Sequence, residues 1–293
     1  MPTKKLEIKN LTFTYNKGTS FAKRVLDGVS LSFGAGEFTG LIGRTGSGKS
    51  TLIMQLNALL KPESGQVLLD DEDIHADKSK LKEVRRRVGL VFQYPEQQLF
   101  EATVRDDIAF GPKNMGFSKE EINERVRKAL DLTGLTPEIA EKSPFDLSGG
   151  QKRRVAIAGV LAMQPEVLIL DEPAAGLDPA GRDEILSNIK QMHERTGITV
   201  ILVSHSMEDI AKLTNRLIVI NEGRIVMDDP PHLVFQNTEE LISMGLSAPQ
   251  AALLTQELIK KGFAIPPDLH TVDGVVAALF DVYAKHLHNS THV

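Results

Sequence analysis

The chain has 293 residues, 41% of them hydrophobic and 25% charged, with a net charge of −5 from 34 basic and 39 acidic side chains. Such a length holds a large buried core plus an appendage, and such a composition belongs to a globular protein rather than a disordered one. The absence of cysteine excludes disulfides, thiol nucleophiles and Cys-bound metals, and the acidic balance argues against non-specific binding of nucleic acid. No apolar run approaches the roughly 18 residues of a membrane-spanning helix. The first residues, MPTKKLEIKNLTFTY, carry no secretory h-region. The expectation is a cytosolic protein that would serve a membrane only from its surface.

Taken in order, residues 6–15 (LEIKNLTFTY) alternate apolar and polar positions and predict a half-buried strand. A loop over 18–23 and a second strand over 25–33 follow. Tyr15 is either a face for an adenine ring to stack on or an ordinary strand tyrosine. A short buried strand over 38–42 (FTGLI) runs into Gly43, Arg44, Thr45, Gly46, Ser47, Gly48, Lys49 and Ser50. These satisfy G-x-x-x-x-G-K-[ST] at every fixed position. A helix over 51–60, beginning at Thr51, completes the strand–loop–helix context. The glycines allow turns that a side chain blocks, and the loop N–H groups converge at a positive helix end. Lys49 can reach the outer phosphates, and the Ser50 hydroxyl can bind Mg²⁺.

Further on, residues 65–70 predict a strand, 81–87 a charged helix, and 88–92 (VGLVF) a strand that ends on Gln93. That amide either helps hold Mg²⁺ or an attacking water, or simply ends a strand. From Pro95 the texture changes to a loop with an apolar tip (95–100) and helical segments over 104–110, 119–133 and 136–142. Ser118 and Glu121 have the spacing of a capping box. Residues 95–162 read as a helical insertion. Within it, Leu147, Ser148, Gly149, Gly150 and Gln151 open a helix with Ser148 as N-cap, which is either a second anion site or a plain capped start.

Residues 167–170 (VLIL) predict a buried parallel strand ending in Asp171 and Glu172. Beside a phosphate loop, Asp171 can hold Mg²⁺ through water and Glu172 can orient and deprotonate an attacking water. Asp178 precedes a helix over 180–195 and could cap it. Residues 198–203 (ITVILV) predict another buried strand, ending at Ser204 and His205, the edge where such sheets bind ligands. A hairpin turns around Asn221, Glu222 and Gly223. Helical segments over 233–246, 248–261 and 272–287 predict a C-terminal appendage of about sixty residues. His286, His288 and His292 are either a metal set or a solvated terminus.

The order and spacing of these motifs across residues 6–229 resemble the nucleotide-binding subunit of an ATP-binding-cassette (ABC) transporter. The resemblance is carried by the phosphate loop, Gln93, LSGGQ at 147–151, VLILDE at 167–172, Gly176-Leu177-Asp178 and His205. Three stretches look like the energy-coupling-factor (ECF) importers, and most like the second of their two ATPases. They are FTYNKGTSFAKRVLDGVS, FQYPEQQLFEATVRDDIAFGP and SGGQKRRVAIAGVLAMQPEVLILDEPAAGLDP. Ala174 departs from the family, which more often has Thr there, at a position not expected to touch phosphate.

This resemblance implies an α/β fold: a P-loop NTPase cassette with a RecA-like core, an antiparallel β subdomain and a helical subdomain. The ATPase domain would cover 1–229, with the insertion at about 95–162, and the appendage 230–293. ATP would be bound by residues 43–51 and Tyr15, with Mg²⁺ held at Ser50, Gln93 and Asp171. Glu172, His205 and Gln93 would be catalytic. Residues 147–151 would cap ATP held by a second cassette, head to tail, with Asp178 at the seam. The implied partners are a paralogous ATPase, a transmembrane coupling subunit and a substrate-binding membrane component for vitamins or other micronutrients. No nucleic acid is implied, and the location is the cytoplasmic face of the membrane. A conventional ABC transporter cassette is the nearest alternative. A ribosome- or DNA-acting ABC protein usually has tandem cassettes or a coiled-coil insertion, and a silent ATP-binding subunit typically lacks the equivalent of Glu172 or His205.

Overall fold

A computed structural model describes residues 4–290, with side chains as far as Ala284. His286, His288 and His292 lie outside the described side chains. The chain begins with a long antiparallel pair, β1 (Lys4–Tyr15) and β2 (Lys23–Gly34), then β3 (Phe38–Ile42) and α1 (Lys49–Leu56). β4 (Ser64–Leu69) and the short β5 (Glu72–Asp73) complete a four-stranded antiparallel sheet in the order β2-β1-β4-β5. After α2 (Leu81–Arg87) and β6 (Val88–Val91) comes the helical insertion of α3 (Val104–Asn114), α4 (Lys119–Leu132) and α5 (Gly149–Leu161). The chain returns through β7 (Val167–Asp171), α6 (Pro179–Thr196), β8 (Thr199–Val203), α7 (Met207–Leu213), β9 (Arg216–Asn221) and β10 (Arg224–Asp229). It ends in α8 (Pro231–Gln236), α9 (Thr238–Ser243), α10 (Gln250–Lys260) and α11 (Val272–Ser290).

The second sheet has six strands in the order β10-β9-β3-β8-β7-β6. β9, β3, β8, β7 and β6 run parallel, and β10 closes one edge antiparallel. Parallel strands covered on both faces read as continuous apolar runs, and β3 and β8 are buried at every position. Successive side chains point to opposite faces, so each strand feeds two cores. Leu168, Leu170, Val200, Leu202, Leu217 and Val219 join the core shared with the helical insertion. Val167, Ile169, Ile201, Val203, Ile218 and Ile220 join the core beneath α1 and the antiparallel sheet. Phe235 and Leu241 of the C-terminal helices belong to the first of these cores, so α8 and α9 are part of the same packed body. No described helix is long and apolar enough to cross a membrane.

Register places the functional ends together. Val91 pairs with Leu170, Asp171 with Val203, and Leu41 with both Val203 and Ile218. The C-terminal ends of β6, β7, β8 and β3 therefore open onto one edge, where open α/β sheets bind ligands.

Several elements differ from the sequence expectations. α1 stops at Leu56 instead of continuing to about residue 60, because Ala58 turns left-handed (φ 55°) and the Leu59 N–H closes back on the Met54 carbonyl at 2.9 Å. The apolar Ala58-Leu59-Leu60 run disguised that end. The single helix expected over 233–246 is two, α8 and α9, broken at Asn237 (φ −89°, ψ 46°). Residues 136–142 contain only a 3₁₀ turn at Pro137–Glu141. α7 has no counterpart among the sequence expectations; seven residues span too few turns for periodicity to mark.

Candidate active site

The phosphate-loop motif links β3 to α1. Gly48 is the helix N-cap with φ 113°, and a side-chain carbon there would stand 2.9 Å from the Val25 carbonyl. At Gly43 the same carbon would meet the Ile220 carbonyl at 2.3 Å. Only glycine fits either place. The result is a loop whose concave side faces a cleft of about 490 Å³. Thr45, Gly46, Gly48, Lys49, Ser50 and Thr51 line that cleft, together with Gln93, Asp171, Glu172 and His205. Tyr15, Lys23 and Val25 close its other side.

Lys49 is 7% exposed, and its Nζ donates to the carbonyls of Gly43 (2.5 Å) and Arg44 (3.1 Å). Burial pushes its ammonium pKa down, and the carboxylates of Glu172 and Asp171 only partly restore it. The lysine is thus a buried donor with two carbonyl partners, held where an anion's oxygens can bind. Ser47 lies below the loop with its Oγ buried and unpaired. The Arg44 side chain leaves the cleft and lies over Gly245, between α9 and α10, where an added carbon would meet Arg44 Cδ at 2.9 Å.

Asp171 ends β7, and Glu172 follows in a left-handed conformation (φ 52°) secured by its N–H on the Val203 carbonyl at 3.0 Å. A non-glycine residue held there stores backbone strain that the surroundings must over-determine. Burial raises the pKa of both carboxyls. Glu172 reaches about 7, through burial first and the neighbouring Asp171 charge second, with Lys49 opposing. Its Oε1 is buried without a hydrogen-bond partner and faces His205 Nε2 at 3.6 Å. Burial and the Lys49 charge lower the His205 pKa. With the acid shifted up and the imidazole shifted down, their contact is polar rather than ionic near neutrality. A carboxyl poised near pH 7 beside an open cleft suits a general base.

Ser50, Gln93 and Asp171, which carry hydroxyl, amide and carboxylate oxygens, line the same cleft. Such hard donors fit Mg²⁺, which keeps waters and takes its remaining ligands from phosphate. Among the described residues there is no cluster of three or more His, Cys, Asp or Glu to hold a metal unaided, so the donor set fits an ion that arrives with its phosphates.

Tyr15 is 38% exposed at the rim. Its hydroxyl lies 3.2 Å from Thr51 Oγ1, and Phe13 packs against its ring edge-on at 4.9 Å. Lys23 and Val25 beside it had no motif to mark them; only their place at the start of β2 brings them to the cleft.

Residues 147–151 lie outside the cleft. Ser148 caps α5, accepting the Gln151 N–H at 3.3 Å while Gln151 Oε1 accepts the Ser148 N–H at 3.1 Å. Leu147 is buried beneath this capping box, Ser148 and Gly149 are exposed, and no atom lies within 4 Å of where a side chain would start on Gly149 or Gly150. Asp178 is also exposed and caps α6, accepting the Gly181 N–H at 3.2 Å. The chain thus carries a cleft with a lysine, two carboxyls and a histidine, and, apart from it, a bare helix N-terminus with an open anion-binding face.

The ABC transporter family profile matches residues 26–175. The energy-coupling factor transporter ATP-binding protein EcfA2 of Clostridium tetani is 54% identical over 279 residues, covering 95% of this chain and 97% of that protein. The chain belongs to the ABC transporter family, among its energy-coupling factor ATP-binding proteins. The structure of cbiO1 from Clostridium perfringens, part of the ABC transporter complex cbiONQ, is 39% identical with a TM-score of 0.73, over 82% of this chain and 94% of that one. The ATP-binding cassette MJ0796, solved as a dimer in a post-hydrolysis state with ADP and Pi, is 31% identical with a TM-score of 0.68, over 77% of this chain and 98% of that one. The α/β cassette fold of this ABC protein is therefore that of known ABC ATPases, and its activity is ATP hydrolysis coupled to transport.

Proposed function

We propose that the protein is the ATP-hydrolysing subunit of an energy-coupling factor importer, acting at the cytoplasmic face of the membrane. Residues 1–229 would be the motor, with the insertion at about 95–162 making its membrane contact, and 230–293 the appendage. The carrying observation is the split site: one chain holds the cleft around Lys49 and Glu172, and its exposed Ser148 is not among the residues that line that cleft. Two cassettes closing head to tail would bring the two halves together, and MJ0796 is a relative solved as a dimer.

In that arrangement residues 43–51 cradle the phosphates of ATP through loop amides and Lys49, and Tyr15 borders the nucleoside. Ser50, Gln93 and Asp171 would hold Mg²⁺, whose charge, when bound, neutralises phosphate oxygens. Glu172 takes a proton from the attacking water at its Oε1, the buried oxygen left without a partner. His205, neutral and 3.6 Å away, orients that water and the outer phosphate. Ser148, Gly149 and Gly150 of the second cassette supply hydroxyl and amide donors from the opposite side, and Asp178 lies at the seam. Donors aimed at developing phosphate charge in a closed site supply most of the rate. Neither half suffices alone, so closure and hydrolysis are coupled.

The second cassette is proposed to be a paralogue, as in a complex with two different ATPases. A groove of about 450 Å³ beside the insertion is lined by Leu90, Phe92, Leu99, Phe100, Phe110 and Val160. Exposed Phe100 and Phe110 meet edge to face there at 5.0 Å. We assign this groove to a helix of a transmembrane coupling subunit, which would join a separate substrate-binding membrane component for a vitamin or other micronutrient. The net charge of −5 gives no basic excess of the kind a nucleic-acid partner calls for, and none is proposed.

The test is to purify the protein with its membrane partners, reconstitute the complex in vesicles, and measure ATP hydrolysis and uptake together. Glu172→Gln, in a complex whose second cassette carries the matching change, is expected to bind ATP and hydrolyse none. Co-purification with a solute exporter, or wild-type turnover by that complex, would refute the assignment.

A further inference from the structure

The most deeply buried charged side chain among the described residues is Arg153, on the second turn of α5, at 1% exposure. Its Nε and Nη2 donate to Glu96 Oε2 and Oε1 at 2.9 and 2.7 Å, a two-pronged ion pair. Its Nη1 donates to the carbonyls of Pro173 and Ala175 at 3.1 and 2.6 Å. Tyr94 adds a contact between the same strands of chain: its ring lies 5.9 Å from the Arg153 guanidinium, and a side-chain carbon at Gly176 would stand 3.3 Å from Tyr94 Cε1.

Three functional segments meet at this one guanidinium. Glu96 sits in the 3₁₀ turn Pro95–Gln98, between Gln93 of the cleft and Leu99 and Phe100 of the groove. α5 carries Ser148 at its N-cap. Pro173 follows Glu172 directly and the Ala175 N–H donates to the Glu172 carbonyl at 3.1 Å, so both border its left-handed backbone. Arg153 itself lines neither the cleft nor the groove. A buried ion pair is weak evidence for stability, because apolar residues of like volume usually do as well. What a planar fork adds is fixed geometry: it cannot turn without breaking several charge-assisted bonds at once.

We propose that Arg153 is a positioning residue that holds Gln93, Ser148 and Glu172 in register and carries movement of the groove turn to the ATP site. The proposal rests on the reading above, in which Glu172 and Gln93 act on ATP and the groove holds a membrane partner. A push on Leu99 and Phe100 moves Glu96 with its short turn, Glu96 moves Arg153, and Arg153 moves the carbonyls beside Glu172. The phosphate loop is not on this path, so ATP binding is untouched while turnover depends on it.

The test uses the complete transporter in vesicles, with the second cassette's own turnover abolished. Arg153→Lys keeps the charge but loses the fork, and Glu96→Gln keeps an acceptor but loses the charge, so a fully assembled complex is attainable by either route. The readouts are ATP affinity without turnover, kcat and KM for hydrolysis, solute moved per ATP, and the thermal midpoint. The expected result is ATP affinity within about twofold of wild type, kcat lowered roughly tenfold or more, and fewer solutes moved per ATP, since small misplacements of catalytic groups cost one to two orders of magnitude. Unchanged kcat and coupling in both variants would overturn the proposal. So would a fall in kcat that merely tracks loss of ATP affinity and of folded complex. Glu172→Gln run alongside separates the two levels. Wild-type hydrolysis by that variant removes the site assignment and this proposal with it, whereas an inactive Glu172→Gln beside fully coupled Arg153→Lys and Glu96→Gln removes only the role of Arg153.

Discussion

Glu172, the proposed base, has its pKa raised to about 7 by burial and by Asp171. A carboxyl whose pKa is raised on folding binds its proton more tightly in the native state. Its contribution to stability is complete below the unfolded value of about 4.5 and is lost as pH rises through about 7. Glu172→Gln has no proton to lose, so nucleotide-free Glu172→Gln should match wild type in thermal midpoint near pH 4.5 and exceed it at pH 8. An offset that is the same at both pH values would show that Glu172 titrates normally. Lys49 tests a different interaction. Its Nζ already bonds two loop carbonyls, so Lys49→Ala should lower ATP affinity about ten- to a hundredfold, the worth of one charge-assisted contact. Isothermal titration measures this directly, and unchanged affinity would place the phosphates elsewhere.

Among the elements, two helices begin with the same device for different ends. Ser118 and Glu121 form a capping box at α4, and Ser148 and Gln151 form one at α5. Losing either serine should cost about 1 kcal/mol of stability. Ser118→Ala should leave hydrolysis unchanged, whereas Ser148→Ala should also abolish it, because that hydroxyl is proposed to meet the second cassette's ATP. Denaturant melts and ATPase assays on both variants check this; equal activity would reduce Ser148 to a cap.

The same elements show what the sequence made legible. Strands β3, β7 and β8 are buried, mainly apolar runs followed by Gly43, by the carboxylates Asp171 and Glu172, and by Ser204 and His205, so their positions and the chemistry at their tips are legible directly. Helix ends were harder to read. Ala58 and Asn237 adopt conformations that nothing in their type compels, and α7 is too short for a period. In the run Lys152-Arg153-Arg154 nothing in the sequence distinguishes Arg153; only the fold reveals that its neighbour Arg154 pairs with Glu184 while Arg153 turns inward to Glu96.

For the whole molecule, the core that packs the helical insertion also holds Phe235 and Leu241, so the insertion, the sheet and the start of the C-terminal helices share one packed core. Leu99 and Phe100 border the groove on that body's surface. Replacing both with Ala should leave ATP affinity intact and lower uptake in reconstituted vesicles; unaltered uptake would move the membrane contact to another face. The central claim is that each ATP is shared by two cassettes. Its most direct measurement is a structure of the Glu172→Gln complex with ATP trapped. The account predicts Ser148 Oγ within about 3 Å of the outer phosphate held by the second cassette's loop. A Ser148 facing solvent, remote from any neighbour's triphosphate, would contradict it.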